Sequence, residues 1–143
     1  MRDAMDRAGD GSRAIVTGLA GRLRGLGDQR GDRISVRIGS HWVAWRSERS
    51  GRVFAEVRPL RGRVEVFILP LPRDLRDPGG LARKAPSTQG WGWFRSRFDI
   101  RSADGVDRAY RLIRQSYEYG RKMGNGRTGR GSPRRRPARG QTV

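Results

Sequence analysis

The chain has 143 residues with 32 basic and 14 acidic side chains, a formal charge of +18 and no cysteine. That length fits one ordinary domain, the missing cysteine excludes disulfides and thiolate metal sites, and 34% apolar residues leave part of the chain outside any core. The charge selects polyanions as partners, namely nucleic acid, anionic lipid surfaces or acidic proteins; yet nearly all of it is arginine, Lys84 and Lys122 being the only lysines, and a GC-rich genome produces the same enrichment.

Residues 1–11 are polar and rich in Gly and Asp, so a flexible N-terminus is expected. They hold Asp3, Asp6 and Asp10 and no apolar run, which is not a signal-peptide pattern. Ser12 is the predicted N-cap of a helix whose apolar residues fall at Ile15, Leu19, Leu23 and Leu26, on one face. Gly18 and Gly21 weaken that helix by roughly 1 kcal/mol each relative to Ala, and Gly27-Asp28 is the predicted end. At Ile34 the period changes to two, with Ile34, Val36 and Ile38 alternating with polar residues before a denser strand at Trp42–Trp45. Ser50-Gly51 signals a turn. Val53–Val57 follows as a strand with Val53, Ala55 and Val57 on one face, then a turn at Arg61-Gly62, then a strand over Val64–Leu69. Trp42 to Leu69 thus reads as a three-strand antiparallel meander.

Pro70 and Pro72 end that meander, since proline donates no ladder hydrogen bond. Residues 72–92 form a long connection, and a fourth strand is predicted around Phe98 and Ile100. Ser102 is the predicted cap of a final helix, with Asp104 and Asp107 near its positive end. Its stripe is Val106, Tyr110, Ile113 and Tyr117, and Gly120 is the predicted stop. Residues 121–143 carry eight basic side chains and no acid, with no apolar periodicity, and read as a disordered Arg/Gly/Pro-rich tail. The longest apolar stretch, Val64–Leu71, is interrupted by Glu65 and Pro70 and falls well short of the about 20 residues a membrane span needs. A cytoplasmic protein is expected.

Few residues suit chemistry. His41 is the single histidine and has no evident catalytic or metal-binding partner. Glu56 and Glu65 lie on adjacent predicted strands, where a carboxylate pair can hold Mg²⁺ or serve acid/base roles; cross-strand ion pairs with the neighbouring arginines are the plainer alternative. Trp42 and Trp45 are three apart and so point to opposite strand faces. Trp91-Gly92-Trp93-Phe94, beside Arg95 and Arg97, interleaves aromatic and cationic groups as base-stacking surfaces do, while a loop with its aromatics buried is the alternative. In the tail, Arg127, Arg130 and Arg134, Arg135, Arg136 resemble arginine-glycine RNA-binding segments in composition. No phosphate loop, dinucleotide fingerprint, nucleophile elbow or nuclease metal cluster is present.

The segments His41-Trp42-Val43-Ala44-Trp45, Phe54-Ala55-Glu56-Val57, the predicted strand Val64–Leu69, Asp77-Pro78-Gly79-Gly80-Leu81-Ala82-Arg83, Gly90-Trp91-Gly92 and Leu112-Ile113-Arg114-Gln115-Ser116-Tyr117-Glu118 occur in that order. Over residues 36–120 the chain is similar to an uncharacterised bacterial family, catalogued as domain of unknown function 5655 and labelled "predicted transport protein". The resemblance implies a compact α+β fold and no particular reaction. Some relatives stand beside nuclease-like modules, an associational pointer to nucleic acid.

The expectation is one α+β domain over residues 12–120: an antiparallel sheet of four strands or slightly more, with an N-terminal and a C-terminal helix packed on it. It is expected to be a non-enzymatic module without cofactor or metal. It would bind nucleic acid or another polyanion through Trp91, Trp93, Arg95, Arg97, Arg127, Arg130, Arg134, Arg135 and Arg136. The alternative is a protein- or small-ligand-binding domain in which the charge is incidental.

Overall fold

The structure is a computed structural model and describes residues 2–86 and 93–123. Its helices are α1 (Ala4–Arg7), α2 (Asp10–Arg30) and α3 (Val106–Lys122). Its strands are β1 (Ile34–Ile38), β2 (Val43–Ser47), β3 (Val53–Leu60), β4 (Arg63–Ile68), β5 (Arg83–Lys84) and β6 (Ser96–Ile100). Every strand pairing is antiparallel, in the order β1-β2-β3-β4-β6-β5. The expected mixed α+β architecture is therefore present, with six strands among the described residues. Ile34–Ile38 is a strand of its own, and the long connection contributes the short β5, which carries no alternation to betray it.

The segment expected to be flexible holds the short helix α1. The Asp3 carboxylate accepts the Asp6 N–H at 2.9 Å, and the Asp6 carboxylate accepts the Asp3 N–H at 3.1 Å, a reciprocal cap that closes α1. The Ala4 N–H donates to the Gly39 carbonyl at 2.8 Å, and Ala4 is buried. Ser12 does not cap α2, which already begins at Asp10. Instead its buried hydroxyl donates to the Leu60 carbonyl at 2.6 Å and ties the first turn to the β3–β4 hairpin. The helix also outlasts Gly27-Asp28. It ends at Gly31, whose φ of 64° is the left-handed conformation glycine adopts without steric cost.

Alternation in the strands divides the sheet into two faces. On the helix face lie Val43 and Trp45 of β2, Ala55 and Val57 of β3, Val64, Val66 and Ile68 of β4, and Phe98 and Ile100 of β6. They meet Ile15, Val16, Leu19, Leu23 and Leu26 of α2 and Ala109, Leu112, Ile113 and Tyr117 of α3. Each such fully buried aliphatic side chain contributes about 1.5–3 kcal/mol. One register shift corrects the sequence reading. Trp45 pairs with Ala55 and Arg46 with Val53, so Phe54 is an extra residue in β3. The bulge puts Phe54, not Val53, into the core, edge-on to Tyr117 with ring centroids 5.3 Å apart.

At the far end of the chain, Ser102 makes no capping bond, and a 3-10 turn at Ala103–Gly105 leads into α3. Gly120 does not stop α3, which runs on to Lys122. It is buried against Leu69, whose Cδ1 would lie 3.4 Å from an added Cβ, so its small size serves packing. Ser116 joins three elements: its hydroxyl donates to the Phe54 carbonyl at 2.6 Å and accepts the Leu69 N–H at 2.9 Å.

Candidate nucleic-acid interface

The face of the sheet turned away from α2 and α3 is built by the residues between the core positions. One cross-strand row reads Arg37, Ala44, Glu56, Phe67, Arg97, Arg83 from β1 to β5. A second row reads Arg58, Glu65, Asp99. The same alternation adds Arg46 on β2, Arg63 on β4, and Arg101 just beyond β6. Among the described residues these seven arginines share the face with three carboxylates.

Two of the carboxylates bridge pairs of arginines. Glu65, 7% exposed, lies 3.1 Å from Arg97 Nη1 and 3.8 Å from Arg58 Nη1. Asp99 lies 3.7 Å from Arg63 and 3.6 Å from Arg101. Glu56 and Glu65 share a face but do not stand opposite one another as a pair: Glu56 stands opposite Phe67 and Glu65 opposite Arg58. Among the described residues no group of three or more His, Cys, Asp or Glu is arranged to hold a metal ion. Arg37, Arg46 and Arg83 form no ion pair among the described residues. They are exposed and leave the rim of the face cationic, while Ala44, Glu56, Glu65 and Phe67 at its centre are buried.

Of the residues singled out from sequence, Trp93, Arg95 and Arg97 fall together at the start of β6. Trp93 is 40% exposed, and its ring centroid lies 6.2 Å from that of Phe94, which is half-buried against the core. Arg95 is exposed, with its N–H donating to the Ile68 carbonyl at 2.9 Å. Arg97 is half-buried and held by Glu65, so its guanidinium is partly committed. Trp91, Arg127, Arg130, Arg134, Arg135 and Arg136 lie outside the described residues, as does the expected disorder of the tail beyond Met123. Trp45 is buried and Trp42 half-buried, its ring so close to Gly39 that an added Cβ there would be 2.6 Å away. His41 is exposed beside a hollow of ≈ 240 Å³ that Ala4, Arg7, Arg58, Pro59 and Leu60 also line.

No protein-family model, curated protein or solved structure matches this chain. None of the chain's helices among the described residues is long and apolar enough to cross a membrane.

One constellation escaped the sequence reading. Asp32, just past α2, is buried; its Oδ2 accepts from the Ser47 hydroxyl at 2.5 Å and the Tyr117 hydroxyl at 2.8 Å, and its Oδ1 accepts the Arg49 N–H at 3.1 Å. Burial pushes the Asp32 carboxyl upward, but the bonds from Ser47, Tyr117 and the Arg49 and Arg33 backbones outweigh it and hold the pKa below its ordinary value. Burial, then the bond to Asp32 and its charge, push Tyr117 up to about 12. Ser47 is 1% exposed and its proton goes to a carboxylate, so no substrate reaches it as a nucleophile. The cluster is a clasp between α2, the β2–β3 turn and α3. Its members lie far apart in sequence and follow no local pattern.

Proposed function

We propose that the protein is a non-enzymatic module that binds nucleic acid, or another polyanion of similar charge density, through the far face of its sheet and its basic C-terminal segment. The observation that carries this reading is the rim of that face, where the exposed Arg37, Arg46 and Arg83 keep their charge available beside four ion-paired arginines. Phosphate contacts from such groups supply sequence-independent affinity that falls with salt. Trp93 and Arg95, exposed just before β6, supply a stacking platform for an unpaired base. The resemblance to the uncharacterised family named above belongs to the same proposal, and a cytoplasmic setting, where nucleic acid is met, is proposed with it.

Removing residues 124–143 and replacing Trp93 separate the two contributions. If the C-terminal segment neutralises about four phosphates, its loss lessens the slope of log K against log salt on duplex DNA by about 3.6. Trp93→Ala weakens single-strand binding by about 1–3 kcal/mol with little change in slope. Loss of all affinity with residues 124–143 and no effect of Trp93→Ala would point to a different role for the folded domain. The hollow lined by Arg7, His41 and Arg58 over Pro59 and Leu60 favours one second reading, a site for a small anionic ligand with an apolar part.

A further inference from the structure

Strand β1 is one of the two edge strands of the sheet, and its exposed groups form a pattern that matches itself. The Arg33 carbonyl accepts the Glu48 N–H at 2.9 Å, and the Gly39 N–H donates to the Trp42 carbonyl at 2.8 Å. In an antiparallel ladder, alternate residues turn their backbone groups to opposite sides. Ser35 and Arg37 therefore bond to β2, and Ile34, Val36 and Ile38 turn their N–H and C=O groups outward. No described residue pairs with those outward groups. The same strand holds two of the four large apolar side chains exposed among the described residues, Val36 at 54% and Ile38 at 45%. Both lie on the helix face of the sheet, opposite Trp45 and Val43, where the helix layer no longer covers it. Exposed edges with apolar side chains are templates for further strand pairing.

From this we infer that β1 is a self-association edge, pairing antiparallel with β1 of a second copy about a twofold axis at Val36. In this register Val36 faces the partner's Val36, and Ile34 faces the partner's Ile38. All the paired residues are those whose backbone groups point outward, so the ladder's hydrogen bonds form in register. On the other face Arg37 meets the partner's Ser35, which keeps the two Arg37 side chains from direct apposition. The sequence Ile-Ser-Val-Arg-Ile is thus self-complementary in hydropathy and avoids the like-charge pair that would oppose pairing. The product is one continuous sheet that buries both apolar strips and joins the two arginine-lined far faces side by side.

Two copies at +18 repel one another, so the dimer strengthens as salt screens that charge. Polyanion binding weakens with salt, and the two properties separate in one titration. Sedimentation of the full chain at about 0.1 mM, between about 0.05 and about 0.5 M salt, is expected to show a rising population at twice the 16.1 kDa of one chain. Val36→Lys puts like charges at the axis and is expected to raise the dissociation constant at least about tenfold with the fold intact, because Val36 is already exposed. The chain lacks cysteine, so a single introduced thiol reads out the register. Directly opposed residues in a hydrogen-bonded antiparallel pair have Cα atoms about 5.5 Å apart, within disulfide range. Val36→Cys should cross-link under a thiol oxidant much faster than Ser40→Cys on the exposed neighbouring loop. A chain that stays monomeric at high salt, a dimer that Val36→Lys leaves unchanged, or equal cross-linking at both positions would overturn the inference.

Discussion

Asp32 keeps a negative charge in a buried position, where an ionised carboxylate is costly unless donors surround it. Ser47, Tyr117 and the Arg49 N–H supply them. Because one of these donors comes from α3 and another from the β2–β3 turn, losing a single hydroxyl loosens the contact between layers. Tyr117→Phe is expected to destabilise the fold by about 1.5–3 kcal/mol in urea denaturation, the worth of a hydrogen bond to a charged group. The sign of the pH dependence follows from the two shifts. Asp32 has a lowered pKa in the folded chain, so its contribution is present above the ordinary carboxylate range and is lost as pH falls through the lowered value. Tyr117 is raised, so its contribution is present below the ordinary phenol value of 10.0 and is lost as pH rises towards about 12. Thermal melts should therefore show an alkaline loss of stability between those values in the wild type that Tyr117→Phe lacks. An identical alkaline profile in the two proteins would count against the clasp.

At the scale of the element, α2 carries two glycines in opposite situations. Gly21 has nothing within 4 Å of an added Cβ, so Gly21→Ala should stabilise by about 1 kcal/mol through helix propensity alone. At Gly27 the added Cβ would sit 2.8 Å from the Asp32 carbonyl oxygen, so Gly27→Ala should destabilise despite the same propensity gain. Paired chemical denaturation curves check both signs. The apolar stripe Ile15, Leu19, Leu23, Leu26 and the switch to a period of two were legible because periodicity is local, and they led to the right layers. Other features depend on distant partners. Ser12 and Ser102 have the chemistry of helix caps, yet Ser12 bonds a hairpin 48 residues away and Ser102 precedes a 3-10 turn. The bulge at Phe54 and the two-residue β5 arise from pairing across the sheet, which no local pattern encodes. The far face was legible only as scattered arginines. Register is what aligns Arg37, Arg97 and Arg83 in one row and assigns Glu65 to Arg58 and Arg97.

For the whole molecule, a charge of +18 guarantees some attraction to any polyanion at low salt, so affinity alone does not locate a site. On the proposed function, a definite share of that attraction belongs to the far face. Arg37, Arg46 and Arg83 are exposed and form no ion pair among the described residues, so replacing them removes charge without orphaning a buried carboxylate. Arg97→Gln differs, since it strips a partner from the buried Glu65 and confounds binding with stability. The decisive measurement is the salt dependence of single-strand DNA affinity for the triple variant Arg37→Gln, Arg46→Gln, Arg83→Gln against the wild type, each checked for fold by circular dichroism. If each arginine contacts one phosphate, the slope of log K against log salt becomes shallower by about 2, at about 0.7 per contact, and affinity falls at every salt concentration. A folded triple variant with unchanged slope and affinity would contradict the proposed function and remove the far face as the binding surface.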